Sequence, residues 1–257
     1  SADGWGTTTI TETYGLPSDL EYVFLEGGPH PNPNGMSPFS TTFTGSNYYD
    51  TSTNRESNLK YDLQGNGVTI EFWLNKTEFI TGSTEKEIIF DLWNGEAYNT
   101  PTHGRLTVEI TGAADGQNPF LITALSGTTG VIRQTLTNDS TFTTASVADG
   151  NWHHYAVSLL SASAGIESKF YVDGSLKSTI IQGSSGINEV TGALRANLAA
   201  AITSPAATSA AAYSGKLSGS LDEFRYWKTQ RSSKDVGRYF ISQVGGGTNS
   251  DPEPFTD

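Results

Sequence analysis

Cysteine is absent from this 257-residue chain, so disulfides and thiolate metal sites are excluded. Charge is also sparse, at 16% of residues, and acidic residues outnumber basic ones by 27 to 15. The net charge of −12 and the lack of any basic run argue against a nucleic-acid partner, because phosphate backbones are bound by clustered cations. No stretch approaches the roughly 20 apolar residues of a membrane-spanning helix, so membrane insertion is not expected.

The missing cysteines also bear on origin. Extracellular eukaryotic domains often carry disulfides, so their absence favours a bacterial or viral source. The chain begins at Ser1 and its one methionine is Met36, which leads us to expect a processed product or a fragment of a longer protein. The acidic composition is compatible with cation binding by carboxylates.

Apolar and polar residues alternate with a period of two in many segments between residues 20 and 227, the pattern of half-buried β-strands. The predicted strands are residues 20–25, 68–75, 87–93, 105–111, 120–125, 131–136, 152–160, 167–172, 175–181, 192–199 and 217–227. They are joined by turns rich in Gly, Asn, Ser and Thr, without helices between them. This order predicts an all-β fold, an antiparallel two-sheet β-sandwich of the jelly-roll type.

One short C-terminal helix is predicted after the last strand. Ser232 or Ser233 can cap its start, and Val236, Tyr239 and Phe240 recur at helical spacing. Residues 1–241 are therefore predicted to form a single domain. Residues 242–257, rich in Gly and Pro, are predicted to form a flexible tail or linker.

Three segments carry a family resemblance by their residues, order and spacing. They are Val-Thr-Ile-Glu-Phe-Trp-Leu at 68–74, Asp-Gly-Asn-Trp-His-His-Tyr-Ala-Val at 149–157 with Phe-Tyr-Val-Asp-Gly at 170–174, and Gly-Ser-Leu-Asp-Glu-Phe-Arg-Tyr-Trp at 219–227. Over residues 40 to 241 the chain resembles the laminin-G-like and pentraxin-like branch of the concanavalin A-like lectin/glucanase superfamily. The resemblance implies two curved sheets, the concave one commonly presenting ligands. It also implies binding of glycans or proteins, frequently with calcium.

The segment 91–103 is the richest candidate for ligand binding. Sugars present apolar C–H faces edged by hydroxyls, so a sugar site combines a flat aromatic ring with a few polar groups. The candidate ligand-binding residues are Asp91, Trp93, Asn94, Glu96, Tyr98, Asn99 and His103, with Tyr48 and Tyr49 in a second cluster. The alternative is that these side chains only pack the loops. In that case the sheet face bearing Glu71 and Trp73 becomes the next candidate.

Asp222 is the candidate metal ligand. It alternates with Phe224 and Tyr226, which predicts that its carboxylate is buried. A buried carboxylate needs several hydrogen-bond donors or a cation. Asp222 is therefore expected either to accept backbone hydrogen bonds or to bind calcium.

Trp152 shares a strand face with His154 and Ala156, and its large ring is predicted to fill the core. His153 and His154 are adjacent and so point to opposite faces of the strand. That geometry is poor for two ligands of one metal.

Catalysis is not expected. Glycosidases need two carboxylates on one face, which enzymes of the resembling superfamily supply as Glu-x-Asp-x-Glu or Glu-x-Asp-x-x-Glu on one strand. Glu85 and Glu87 alternate correctly but lack the central Asp, and they are predicted to be a solvated strand start. No Gly-x-Ser-x-Gly, His-Glu-x-x-His or Walker-type motif is present.

Two functions fit these features. The first is a non-catalytic, lectin-like carbohydrate-binding module of a larger extracellular, cell-surface or virion protein. The second is a structural or adhesive domain whose partner is a surface protein. A glycoside hydrolase is a less favoured third possibility. The sequence does not specify the ligand or the oligomeric state.

Overall fold

The computed structural model describes residues 23–26, 59–79, 86–112, 116–191, 194–203 and 215–242. Within these ranges the elements are β1 (Val23–Glu26), β2 (Val68–Asn75), β3 (Lys86–Trp93), β4 (Gly104–Thr111), β5 (Phe120–Ser126), β6 (Thr129–Thr135), α1 (Thr144–Val147), β7 (Trp152–Ala162), β8 (Gly165–Val172), β9 (Ser175–Gln182), β10 (Arg195–Leu198), β11 (Ser220–Trp227) and α2 (Ser233–Tyr239). Each predicted strand overlaps an observed one.

The strands form two antiparallel sheets. One has six strands in the order β1-β10-β3-β4-β5-β6, and the other has five in the order β11-β2-β7-β8-β9. The predicted all-β sandwich is confirmed, as is the helix after the last strand, whose cap Ser232 accepts a hydrogen bond from the Asp235 N–H at 3.1 Å. The sequence pattern does not predict α1, because a single turn is too short to show a helical period.

The core lies between the two sheets. β2 turns every second residue from Val68 to Leu74 into it, and β7 contributes Tyr155 and its alternate neighbours. Phe120 lies in an aromatic group, with its ring centroid 4.7 Å from that of Tyr155 and 5.1 Å from that of Phe170. Burying each large apolar side chain contributes roughly 1.5–3 kcal/mol, so this layer fixes how the two sheets pack.

The outer face of the five-stranded sheet is covered by α2. Ala156 and Tyr171 pack there against Val236 of the helix. The prediction that Trp152 fills the core is wrong, because its side chain is 46% exposed. β7 directs Tyr155 and its alternate neighbours into the core, and Trp152 therefore starts the strand on the opposite face.

A buried ion pair lies on this same outer face. Arg231 Nη1 donates to Glu71 Oε1 at 2.5 Å, and Arg225 Nη1 lies 3.7 Å from Glu71 Oε2. Trp73 stacks on Phe240, just past α2, with ring centroids 6.1 Å apart. The alternative ligand face predicted from Glu71 and Trp73 is therefore occupied by the protein's own side chains.

The Asp-Gly and His-His motifs act together at the start of β7. His153 lies between two carboxylates, with Nδ1 2.8 Å from Asp173 Oδ2 and Nε2 3.1 Å from Asp149 Oδ2. Asp173 Oδ1 also accepts from the His154 N–H at 2.9 Å. Asp173 and Gly174 have φ of 48° and 73°, the left-handed pair that a tight two-residue hairpin requires. These contacts hold the turn between β8 and β9 against the start of β7. The Asp-Gly and His-His motifs are thus explained by structure, without a ligand.

Candidate ligand-binding site

The predicted binding segment connects β3 to β4 and is braced by its own side chains. Asn94 Nδ2 donates to Thr102 O at 2.6 Å, and Asn94 Oδ1 accepts from the Gly104 N–H at 3.0 Å. Trp93 Nε1 donates to Glu96 O at 2.9 Å. The loop is thus ordered before any ligand arrives, which reduces the entropy lost on binding.

His103 lies under the tip of this loop and is only 3% exposed. Its Nδ1 is 2.9 Å from Glu96 O, and since a carbonyl only accepts, Nδ1 is the donor. Nε2 is buried without a hydrogen-bond partner among the described residues. Tyr98 meets this ring edge-on at 5.7 Å and is itself 68% exposed. Asn99 follows in a left-handed turn with φ of 62°.

Asp91 is fully buried, and its carboxylate has four donors. It accepts from Arg105 Nε at 3.0 Å and Nη2 at 2.6 Å, from Thr107 Oγ1 at 2.7 Å and from the Ile202 N–H at 2.8 Å. This bidentate pair fixes the guanidinium plane. Asp91 is predicted to contact the ligand, but its geometry makes it the residue that positions Arg105.

Arg105 is held as a permanent cation beside Trp93. Its guanidinium carbon lies 5.2 Å from the Trp93 ring centroid, within cation–π range. Burial disfavours the charged form, but the hydrogen bonds and charge of Asp91, with the charge of Glu109, outweigh it and raise the pKa of Arg105 above its usual value. Arg105 Nη1 makes no hydrogen bond within the described part of the chain.

A groove of about 330 Å³ runs over this outer face of the six-stranded sheet. Strand register places Trp93 opposite Arg105 and Arg105 opposite Leu125, while Thr107 lies opposite Thr123. These side chains line the groove together with Tyr98 and His103 of the loop. The face therefore combines two aromatic rings, hydroxyls and a fixed cation.

Arg133 forms part of the groove lining at the edge strand β6. Its Nε donates to Glu109 Oε1 at 2.6 Å, and Glu109 is buried while Arg133 is 44% exposed. Register shifts here between β5 and β6, and Arg133 has φ of 48°. Its N–H donates to Thr123 Oγ1 at 3.0 Å. This bulge brings both Ile132 and Arg133 to the groove.

Several groove residues were not among the sequence-based candidates. Alternation in β4, with its apolar residues inward, already indicates that Arg105, Thr107 and Glu109 face the other way. Arg133 gives no such signal, because regular alternation from the buried Val131 would turn it toward the core. Tyr48 and Tyr49 lie outside the described residues.

The burial predicted for Asp222 is wrong. The side chain is exposed, and Oδ1 accepts from the adjacent Glu223 N–H at 2.7 Å. β11 has a bulge after Asp222, with Glu223 at φ of 48°, and this breaks the alternation on which the prediction depended. Among the described residues, no group of three His, Asp or Glu side chains is arranged to hold a metal. Calcium binding by Asp222 stays a prediction.

Glu87 also departs from its prediction as part of a solvated strand start. It is 1% exposed and accepts from Lys76 Nζ at 2.6 Å. Glu85, its predicted companion, lies outside the described residues. The buried ion pair gives Glu87 a structural role between the sheets.

The chain is thus a β-sandwich with a polar, aromatic-lined groove on one sheet. The chain belongs to the concanavalin A-like lectin/glucanase superfamily, whose laminin-G family model matches residues 43–237. No curated protein matches the chain in sequence. None of the described helices is long and apolar enough to cross a membrane.

Solved structures similar to the chain include the following three. The native heptameric SAP-like pentraxin from Limulus polyphemus has 11% identity and a TM-score of 0.42, covering 69% of this chain and 73% of its own. The CBM40 of the Ruminococcus gnavus IT-sialidase has 18% identity and a TM-score of 0.41, covering 69% and 89%. Domain 4 of AbnA, a GH43 extracellular arabinanase from Geobacillus stearothermophilus, solved with arabinotriose, has 14% identity and a TM-score of 0.41, covering 71% of each chain.

Proposed function

We propose that this domain is a non-catalytic carbohydrate-binding module of a larger extracellular, cell-surface or virion protein, and that it binds glycan in the groove of the six-stranded sheet. The observation that carries the proposal is the juxtaposition of Trp93 and Tyr98 with Arg105 and His103 around one groove. Its volume of about 330 Å³ lies at the lower end of the range for small-ligand sites, roughly 300–1,000 Å³.

The chemistry of the lining suits a sugar. An aromatic ring offers a flat apolar surface to the C–H face of a pyranose, while the hydroxyl rim needs donors and acceptors together. Arg105 Nη1 supplies donors that no described residue uses. Thr123 Oγ1 accepts from the Arg133 N–H, so its own O–H remains able to donate.

Hydrolysis is not expected in this groove. A glycosidase keeps one carboxyl protonated and the other free to act as a base or nucleophile. The carboxylates of the groove are Asp91 and Glu109, and each is buried against an arginine at 2.6 Å. Both carboxylates are therefore committed to ion pairs with the protein's own arginines.

Replacing the aromatic residues should abolish most glycan binding without unfolding the domain. For Trp93→Ala and Tyr98→Ala we expect losses of roughly 1–3 kcal/mol in affinity, a typical cost of removing a stacking ring. Binding is first detected on a glycan array and then measured by isothermal titration calorimetry.

Trp152→Ala provides the matched control, because Trp152 is an exposed ring on the other sheet and should leave affinity unchanged. If the Trp93 and Tyr98 variants bind as tightly as the parent, the glycan site lies elsewhere. A blank array for the folded parent would instead favour the second candidate, a protein-contact domain.

Calcium binding at Asp222 has its own test. A cation bound only by the folded chain raises the melting temperature by mass action, so addition of about 1 mM calcium, a level suited to weak extracellular sites, should raise it and chelator should reverse the change. Asp222→Asn should remove the response. An unchanged melting temperature in the parent protein would leave Asp222 as a hydrogen-bonded surface carboxylate.

A further inference from the structure

The groove is cationic in a protein that is strongly acidic. Its charged side chains are Lys86, Arg105 and Arg133 against Asp91 and Glu109, so cations are in excess here although the chain carries −12 overall. Lys86 has no ion-pair partner among the described residues and is exposed. A local reversal of sign inside a cleft attracts ligands of the opposite charge.

The two arginines present unused donors, while their carboxylate partners lie beneath them. Asp91 is fully buried and Glu109 is 3% exposed, whereas the side chains of Arg105 and Arg133 are 28% and 44% exposed. Arg133 uses only Nε for its ion pair, and neither of its terminal nitrogens makes a hydrogen bond in the described structure. Each carboxylate thus fixes a guanidinium and leaves N–H groups for an incoming acceptor.

The backbone adopts a costly conformation to place Arg133. A non-glycine residue at φ of 48° is strained and persists only where surrounding contacts impose it. Here the Thr123 Oγ1 and Glu109 contacts hold it. Bulges at sheet edges re-aim side chains in this way, often beside binding sites.

We propose that the glycan bound in this groove is acidic, with its carboxylate or sulfate held by Arg133 and Arg105. This inference rests on the proposed glycan-binding function and specifies the class of sugar. A guanidinium group can bind a carboxylate or a sulfate through two parallel N–H···O hydrogen bonds. Arg133 has both terminal nitrogens for such a pair, and Arg105 adds Nη1. Arg105 is already braced on one side by Asp91 and on the other by Trp93, so the cation is preorganised beside an aromatic surface that can receive the sugar ring.

The test compares neutral glycans with acidic glycans built on the same core. The probes are neutral glycans and their sialylated, uronic-acid and sulfated counterparts on one array, followed by titration of the strongest pair. We expect about tenfold to a hundredfold tighter binding of the acidic member, the change that a charge-assisted hydrogen bond supplies. The carboxylated and sulfated arms distinguish the two sources of the anion.

A double variant tests the assignment to Arg133. Arg133→Gln/Glu109→Gln removes the cation together with its buried partner, so no carboxylate is left uncompensated. The preference for acidic over neutral glycan should fall about tenfold or more. Arg238→Gln is the control, because Arg238 is an exposed residue of α2 on the other side of the sandwich, and it should keep the preference.

Equal binding of neutral and acidic members would overturn this inference and leave the glycan-binding proposal standing. Binding of acidic glycans by the double variant with the parent's preference would overturn the assignment to Arg133. If no glycan of either kind binds the folded protein, the proposed function fails and this inference fails with it.

Discussion

Replacing Lys76 with Met is expected to lower the free energy of unfolding by about 3–5 kcal/mol, because it leaves a buried carboxylate without its cation. Lys76 and Glu87 are each 1% exposed. Lys76 Nζ donates to Glu87 Oε2 at 2.6 Å and to Ser218 O at 2.6 Å, and the Ser218 N–H donates to the same carboxylate oxygen at 2.8 Å. The pair thus ties the end of β2 in one sheet to β3 in the other and to the approach to β11.

The matched control removes both charges. In Lys76→Met/Glu87→Gln the new glutamine side chain keeps a carbonyl oxygen that can accept from the Ser218 N–H. Its NH₂ group can donate to Ser218 O in place of Lys76 Nζ. We expect most of the stability to return, because a neutral, hydrogen-bonded replacement avoids the desolvation of two ions. Urea unfolding followed by tryptophan fluorescence measures all three proteins. A Lys76→Met protein as stable as the parent would show that Glu87 is not desolvated in solution.

Glu87 also shows where prediction from the sequence ends. Its position in a strand was predictable from alternation, but its buried partner Lys76 comes from the turn after another strand. Nothing in either local sequence shows that a third segment, at Ser218, closes over the pair. Burial of charge is a tertiary property, and local patterning predicts only which face a residue occupies.

Among the groove residues, alternation along the strands predicts some orientations correctly and others wrongly. Alternation correctly placed Asp91 and Trp93 on the face opposite Phe90 and Leu92, since the latter two lie in the core. The same rule fails where the chain has a bulge. Asp222 and Arg133 are two such cases, and in each a non-glycine residue at φ of 48° shifts the phase of the strand. A non-glycine bulge has no clear sequence signature, so the position of Arg133 in the groove could not be predicted from alternation.

The helix after the last strand was predictable, but what it covers was not. Ser232 and the stripe at Val236 predict that a helix docks. They do not indicate that Arg231, just before the cap, reaches Glu71 at 2.5 Å, 160 residues away in the chain. That contact buries Glu71 and Arg231 together on the outer face of the five-stranded sheet.

The buried layer beneath α2, which includes His154, should make the domain less stable in acid. Burial, the charge of Arg225 and that of Arg231 lower the pKa of His154 from 6.5 to about 4, against the opposing charge of Asp173. Between these two pH values the unfolded chain binds a proton that the folded chain excludes, so the unfolding free energy falls as the pH is lowered. The loss begins below about pH 6.5, levels off near pH 4 and amounts to at most roughly 3 kcal/mol.

His154→Phe is expected to remove this loss. Trp73 and Phe240 already surround the imidazole with aromatic rings, at centroid distances of 5.6 Å and 5.5 Å, and both ring nitrogens of His154 are without hydrogen-bond partners among the described residues. A phenyl ring therefore replaces a group that makes no described side-chain hydrogen bond and carries no charge at neutral pH. Urea unfolding at a series of pH values between 7 and 4 measures the slope for each protein.

His153→Gln separates the buried histidine from its exposed neighbour. Partial burial disfavours the charged form of His153, but hydrogen bonds to Asp173 and Asp149 outweigh it and raise the pKa. Because its pKa is raised in the fold, protonation of His153 stabilises the folded state, and this stabilisation is complete below the pKa of the unfolded chain. Removing His153 should therefore leave the acid-induced loss of stability in place or steepen it. If His154→Phe keeps the parent's slope while His153→Gln removes it, the acid sensitivity belongs to the surface network and the layer beneath α2 is not its source.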